Sequence, residues 1–315
     1  MQTASRVLRH GRNELAKVIV GQEEMINQCL LTILCGGHAL LEGVPGIAKT
    51  LVIKSFGRLF NLEFRRVQCT SDLMPADIIG SNVLNLSNST FALHKGPLFT
   101  DLLLADEVNR MPPRTQAAVL EAMEERQITI DGITHPLSQF FTVFATQNPI
   151  EFEGTYPLPE AQLDRFLLKI KVGYPAAEQE ITILQHHHEG FDAHNLDAAN
   201  ITSLPPDLLA QARTEIRGVK VEAALFRYIV EIIRRTRNWP ALGLGASPRA
   251  AISLMMVAKA NAALEDRDFM IPDDVKSSAL PVLRHRVMMK PEAELEGLDS
   301  DRVLTEILGS VEVPK

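Results

Sequence analysis

The stretch from Leu40 to Lys54, LLEGVPGIAKTLVIK, leaves few folds open to this chain. An apolar strand around His38 to Leu41 runs into a loop with glycines at 43 and 46. A helical pattern follows at once, with Val52, Phe56, Leu59 and Phe60 on one face. Gly43 to Thr50 reads G-V-P-G-I-A-K-T, one residue away from the phosphate-binding pattern G-x-x-x-x-G-K-[ST]. Ala48 stands where that pattern has its last glycine. Alanine is unstrained there if residue 48 takes a right-handed helical backbone, which is the expectation.

In such a loop, small residues let successive backbone N–H groups curl around a phosphate, and the next helix turns its positive end to the same anion. Lys49 would add a point charge, and Thr50 would offer a hydroxyl to Mg²⁺. The loop alone also reads as an ordinary turn before a helix. A second motif argues against that: LLLADE, Leu102 to Glu107, is a buried strand ending in two carboxylates. Asp106 would hold Mg²⁺ through its water shell, and Glu107 would polarise an attacking water. A third strand, Phe140 to Thr146, ends in Gln147-Asn148. Asn148 would orient that water, or simply form a turn before Pro149.

Glu63 to Cys69 and Leu167 to Val172 complete a set of five short apolar strands alternating with helical patterns up to Tyr174, the signature of an α/β fold with a parallel sheet. Two segments read as hairpins. Gln127 to Leu137 places Asp131-Gly132 at a two-residue type I′ turn, and Asn82 to His94 turns at Ser87-Asn88-Ser89. From Pro175 the pattern is helical, with a polar loop from Asp192 to Pro206. Residues 1–174 thus form an α/β core and 175–315 a helical second domain. In the latter, Phe226, Ile229, Val230 and Ile233 read as a buried stripe and Met255-Met256 as core. Ser247 caps a helix with proline at its first position, and Asp273-Asp274 open a helix that Pro281 should kink.

At 315 residues and 46% hydrophobic content, two globular domains are expected. The net charge of −7 gives no global field toward nucleic acid or anionic lipid. The longest weakly polar run, Cys29 to Leu41, is too short to span a bilayer, and the first residues lack a secretory apolar core, so the cytoplasm is the default. Cys29, Cys35 and Cys69 form no C-x-x-C pair and read as reduced, mostly buried thiols. His186-His187-His188 read as a solvated helix end rather than a metal site.

The segments EGVPGIAKT, LLLADEVNRMPPRTQAAVLEAMEERQ, FATQNP, GTYPLPEAQLDRF and GASPRA occur in this order from Glu42 to Ala250 and resemble the MoxR family of AAA+ ATPases, of the helix-2-insert branch. The resemblance implies an AAA+ core with a five-stranded parallel sheet plus a C-terminal all-α lid. It implies ATP or ADP and Mg²⁺ as cofactors, held by Gly43, Val44, Pro45, Gly46, Ile47, Ala48, Lys49, Thr50 and Leu51, with Thr50 and Asp106 toward the metal. Val20, Gly21 and Gln22 resemble the stretch beside the adenine. Glu107, Asn148, Arg165 and Arg249 resemble the catalytic glutamate, the first sensor, the arginine finger and the second sensor. Arg165 also reads as a salt-bridge partner near Asp164, and Arg249 also reads as a structural pair. Arg110 and Arg114 read equally as intersubunit contacts or surface, and the hairpins as insertions near a pore. The family implies a homo-oligomeric ring, a hexamer, that remodels a client with a von Willebrand factor A domain partner. A nucleic-acid motor, a magnesium-chelatase-like motor subunit and a passive nucleotide-dependent scaffold are the competing readings.

Overall fold

The computed structural model describes every residue except Met1, 86–88, 149–153, His194, 197–198 and Lys315. Helices α1 (Gln2–Leu15) and α2 (Glu23–Cys35) lead into strand β1 (Ala39–Glu42) and, across the glycine loop, α3 (Lys49–Phe60). β2 (Phe64–Gln68), α4 (Pro75–Ile79) and a hairpin of β3 (Gly80–Asn85) and β4 (Thr90–Lys95) follow. Next come β5 (Leu102–Asp106), α5 (Pro113–Glu125), a second hairpin of β6 (Gln127–Ile130) and β7 (Ile133–Pro136), then β8 (Thr142–Gln147), α6 (Glu160–Leu163) and β9 (Leu168–Lys171). The remainder contains α7 (Ala177–His188), α8 (Pro206–Arg217), α9 (Ala223–Arg237), β10 (Leu242–Leu244), α10 (Pro248–Leu264), α11 (Pro272–Leu283), β11 (Met288–Met289), α12 (Pro291–Leu295) and α13 (Ser300–Ser310).

The five expected strands form one sheet in the order β2-β5-β8-β1-β9, with every pair parallel. Alternation along each strand splits the core in two. Ala39, Leu41, Leu102, Leu104 and Phe144 point into a large cluster shared with α1, α2, α3 and the C-terminal helices. Leu40, Leu103, Ala105, Val143 and Ala145 point to the other side, where α5 packs with Val119, Leu120 and Met123. Strands buried on both faces read as continuous apolar runs, which is why the sequence discloses them. Val52, Phe56, Leu59 and Phe60 are fully buried, as their spacing requires.

The Asp131-Gly132 turn has positive φ at both residues, 49° and 79°, as a type I′ turn demands. The β3–β4 hairpin also forms, but Ser87 and Asn88 of its expected turn lie outside the described residues. In the C-terminal region the structure adds a short antiparallel ribbon, β10 with β11, to the expected helices. The larger apolar cluster runs across position 174, and α1 packs against α8 and α10.

Two core expectations are corrected. Phe226 and Val230 are about half exposed at 47% and 50%, because the buried face of α9 runs through Leu225, Tyr228, Ile229, Ile232, Ile233 and Thr236. Met255 packs on the core, whereas Met256 is exposed. Successive helical residues point about 100° apart, so the two methionines cannot both face inward. Ser247 caps α10 by accepting from the Ala250 N–H, and buried Asp274 accepts from the Ile271 N–H at the start of α11. α11 is continuous through Pro281. The three cysteines are free, with Cys29 and Cys69 buried, and the histidine run ends α7.

His38, just before β1, is buried and neutral: its Nδ1 accepts from the Val143 N–H at 2.9 Å and its Nε2 donates to the Met123 carbonyl at 3.1 Å. Burial lowers its pKa to about 3, and burial also holds His285 well below the ordinary histidine range. The unfolded chain therefore binds more protons below about pH 6.5, so these groups cost stability as pH falls. His38 is expected to remove about 1.4 kcal/mol per pH unit between roughly pH 6 and 4.5, and His285 adds to the loss. Denaturant midpoints across that window check this, and His38→Gln should flatten the slope.

Candidate functional site

The parallel sheet gathers its carboxyl ends at one edge, where open α/β sheets bind ligands. There a cleft of about 630 Å³ is lined by Pro45, Gly46, Ala48, Lys49, Thr50 and Leu51 from the glycine loop and α3, by Asp106 and Glu107 after β5, and by Thr146 and Asn148 around the end of β8. The structure thus brings the three sequence motifs together.

The glycine loop departs from expectation at one residue. Ala48 takes the left-handed region, φ 64° and ψ 14°, at the N-cap of α3. Glycine occupies this place in the general pattern because it adopts that backbone freely, while alanine carries a strain of about 1 kcal/mol. Gly43 is needed for close approach: a Cβ there would sit 2.4 Å from the Val172 carbonyl oxygen. Lys49 Nζ folds back onto the loop and donates to the Gly43 carbonyl at 2.6 Å. Burial lowers the Lys49 pKa, while the Asp106 and Glu107 carboxylates oppose that shift.

The two carboxylates are held from several directions. Thr146 Oγ1 donates to Asp106 Oδ1 at 2.6 Å and accepts from the Glu107 N–H at 2.8 Å, joining both to β8. The second oxygen of Asp106 pairs with Arg66 at 2.6 Å. Glu107 has a left-handed backbone, φ 60°, of the kind that gathers at functional sites, and its carboxylate accepts from Gln68 at 3.3 Å and Arg110 at 3.0 Å. Arg110 therefore binds within its own chain, and Arg114 is exposed on α5. Arg66, Gln68 and Thr146 escaped the sequence reading. The signal for the first two was their i, i+2 spacing on β2, which puts both on one strand face. Thr50 and Asp106 supply hard oxygens in one cleft, and among the described residues no group of three or more His, Cys, Asp or Glu could hold a metal. That donor set suits Mg²⁺ carried largely by phosphate and water.

Val20 and Gln22 line a smaller cavity of about 140 Å³ beside Gly46, Ile47, Ala48 and Leu51, closed by Ile183, His186 and Phe191. Gly21 lies beneath Gln179 of α7, and Gln22 donates to the Gly173 carbonyl at 2.9 Å. The residues closing this cavity from α7 were also missed by the sequence reading.

Arg165 and Arg249 are not in the phosphate-loop cleft. Both line a separate cavity with Gly36, Gly37, His38 and Leu167, residues that precede β1 and β9, so they sit at the amino edge of the same sheet. A strand of four residues separates the two edges by about 13 Å. Each arginine pairs with the same carboxylate, Glu124 of α5; Arg165 lies 3.0 Å from it. The hydrogen bond from Arg249 is the main reason the Glu124 pKa is lowered. Asp164, the sequence-level partner for Arg165, instead pairs with buried Arg286 at 2.6 Å and accepts from Ser247 at 3.0 Å.

A phosphate-binding loop, an acidic strand end and a helical lid around one parallel sheet define an AAA-type ATPase. Residues 38–168 match the ATPase family associated with various cellular activities (AAA), and residues 234–307 match the AAA lid domain. Chaperone MoxR1 of Mycobacterium tuberculosis is 40% identical over 96% of this chain and 81% of its own, and the uncharacterised YeaC of Bacillus subtilis is 42% identical over 95% and 92%. A solved structure of a Cytophaga hutchinsonii protein classed as an ATPase superposes with a TM-score of 0.91 at 40% identity, covering 99% of this chain and 96% of that one. The chain belongs to the MoxR family of AAA+ ATPases.

Two substitutions test the loop geometry. Ala48→Gly is expected to raise stability in denaturant unfolding by up to about 1 kcal/mol, the relieved left-handed strain exceeding the added chain entropy. Gly43→Ala is expected to cost about 2 kcal/mol or more through its clash with Val172.

Proposed function

We propose that this chain binds ATP and Mg²⁺ in the phosphate-loop cleft, hydrolyses ATP at the junction with a neighbouring copy, and uses the energy to remodel a protein client. In this reading Val20, Gly21 and Gln22 lie beside adenine, and the loop from Gly43 to Leu51 wraps the phosphates. Thr50 and Asp106 face the metal. Glu107 polarises the water and Asn148 orients it.

The carrying observation is the position of Arg165 and Arg249. Two guanidinium groups converge at the amino edge of the sheet, a strand length from their own chain's phosphate loop. Planar, permanently charged groups suit transferring phosphoryl oxygens, and an arginine supplied in trans is worth ~10³ or more in rate. A neighbour docking its phosphate edge against this edge would offer an anion in place of Glu124. Asp164, next to Arg165, is tied to Arg286 and Ser247 of the C-terminal region, so movement of the lid would carry the arginine loop with it. The core of residues 1–174 and the lid of 175–315 are the lobes whose relative motion does the work.

Such an arrangement closes into a ring, here a hexamer, acting in the cytoplasm on a client with a von Willebrand factor A domain protein as partner. The chaperone name of the mycobacterial relative supports the client class. Lys49→Ala should abolish fluorescent-nucleotide binding, whereas Arg165→Ala should leave binding nearly intact and slow hydrolysis at least a hundredfold. Mixed Arg165→Ala and Glu107→Gln subunits should recover part of the turnover, because one junction then holds both an intact finger and an intact glutamate. Absence of recovery at every mixing ratio, with co-assembly verified by sizing, rules out the finger in trans.

A further inference from the structure

The phosphate-loop cleft contains an arginine that the proposed chemistry leaves without a task. Arg66 lines it together with Lys49, Thr50 and Asp106. Its Nε and one terminal nitrogen donate to Asp106 Oδ2 at 3.1 and 2.6 Å, and the same terminal nitrogen reaches Gln68 Oε1 at 2.7 Å. The other Asp106 oxygen, Oδ1, is engaged by the Thr146 hydroxyl. Parallel pairing sets this geometry: β2 lies in register with β5, Gln68 opposite Asp106, so the strand face carrying Arg66 and Gln68 looks onto the carboxylate. The Arg66 side chain is 46% exposed and Asp106 only 16%, so the guanidinium covers the carboxylate from the open side of the cleft.

We propose that Arg66 is a positioning residue that occupies the outward oxygen of Asp106 and competes with a divalent cation for it, so that the metal enters this site more readily together with nucleotide. The inference rests on the nucleotide site proposed above. Lys49, Lys54 and Arg66 line the cleft with Asp106 and Glu107, and Glu107 is also paired with Arg110. A divalent cation arriving with water alone would have to break the arginine pair and add positive charge to a partly desolvated cleft already lined by three cationic side chains. A triphosphate changes that balance: it brings the metal further oxygen ligands and gives the released guanidinium an anion to bind. The arginine thus couples metal affinity to nucleotide affinity. Lysine in its place would act as a weaker competitor, because a point charge lacks the paired N–H donors that grip one carboxylate oxygen.

The test counts free Mn²⁺ by electron paramagnetic resonance, with and without ADP, for the full chain, Arg66→Met, Arg66→Lys and Arg66→Met combined with Asp106→Asn. Without nucleotide, Arg66→Met is expected to bind Mn²⁺ about five- to tenfold more tightly than the parent, the worth of one half-exposed charge pair. Arg66→Lys should fall between them, and the added Asp106→Asn should cancel the gain. With ADP, parent and Arg66→Met should differ less. Equal Mn²⁺ affinity without nucleotide overturns the proposal. Weaker binding by Arg66→Met also overturns it, since Arg66 would then be preparing Asp106 for the metal. Far-ultraviolet circular dichroism verifies folding, and Arg66→Lys carries the comparison if Arg66→Met does not fold. Fluorescent ADP binding by the parent separates the two readings. A parent that binds no nucleotide with Mn²⁺ defeats the site itself, whereas normal binding with unchanged Arg66 variants defeats only the competition.

Discussion

Everything at this site depends on where β1 sits. Its four residues are paired in parallel register with β8 on one side and β9 on the other, and β5 lies one strand beyond β8. All these strands end at the same edge. The glycine loop after β1, the carboxylates after β5 and Asn148 after β8 are therefore brought into one cleft although they are far apart in sequence. The same pairing sends the residues before β1 and β9 to the opposite edge, where Arg165 and Arg249 meet Glu124. One sheet of parallel strands thus separates the phosphate-loop cleft from the paired arginines within the chain. In the function proposed above, a second copy brings the two edges together.

Each charged group at the two edges is engaged by a group of this chain. Lys49 holds the Gly43 carbonyl, Asp106 holds Arg66, Glu107 holds Gln68 and Arg110, and the two arginines share Glu124. A charge in a partly buried cleft is costly without a partner, so these pairs stabilise the chain in the absence of ligand. They also set a threshold. An incoming phosphate or metal gains only the difference between its own interaction and the one it replaces, which favours a ligand carrying several charges together. The strain at Ala48 and Glu107 acts alongside: both residues sit in left-handed backbone beside the cleft, held there by the strands that flank them.

The sheet was legible because its strands are buried on both faces and therefore apolar throughout, and the glycine loop because its chemistry needs a fixed spacing. The backbone of residue 48 was not: a side-chain pattern gives no φ, and the alanine suggested the unstrained option. Arg66, Gln68 and Thr146 were hidden because their task depends on which strands are neighbours, a property of sheet order rather than of local sequence. Glu124 was hidden for a similar reason. On α5 it reads as one more exposed helix acid, and only the approach of α10 and of the loop before β9 makes it a shared partner. The orientation of α9 was misjudged by one position, since Leu225, Tyr228 and Ile232 extend the same apolar pattern and only packing selects the face.

Among the groups that tie the C-terminal helices to the sheet, including Ser247, Arg284 and His285, one buried cation makes the most bonds. Arg286, just beyond α11, is 7% exposed and donates to the Leu167, Phe166, Asp164 and Val282 carbonyls, to Ser253 and to the Asp164 carboxylate. It therefore joins α10 and α11 to the turn that carries Arg165. A buried guanidinium with this many acceptors cannot slide by a small amount, because any partial displacement leaves several carbonyls and the carboxylate unpaired. The lid segment and the arginine turn consequently move as one body or not at all.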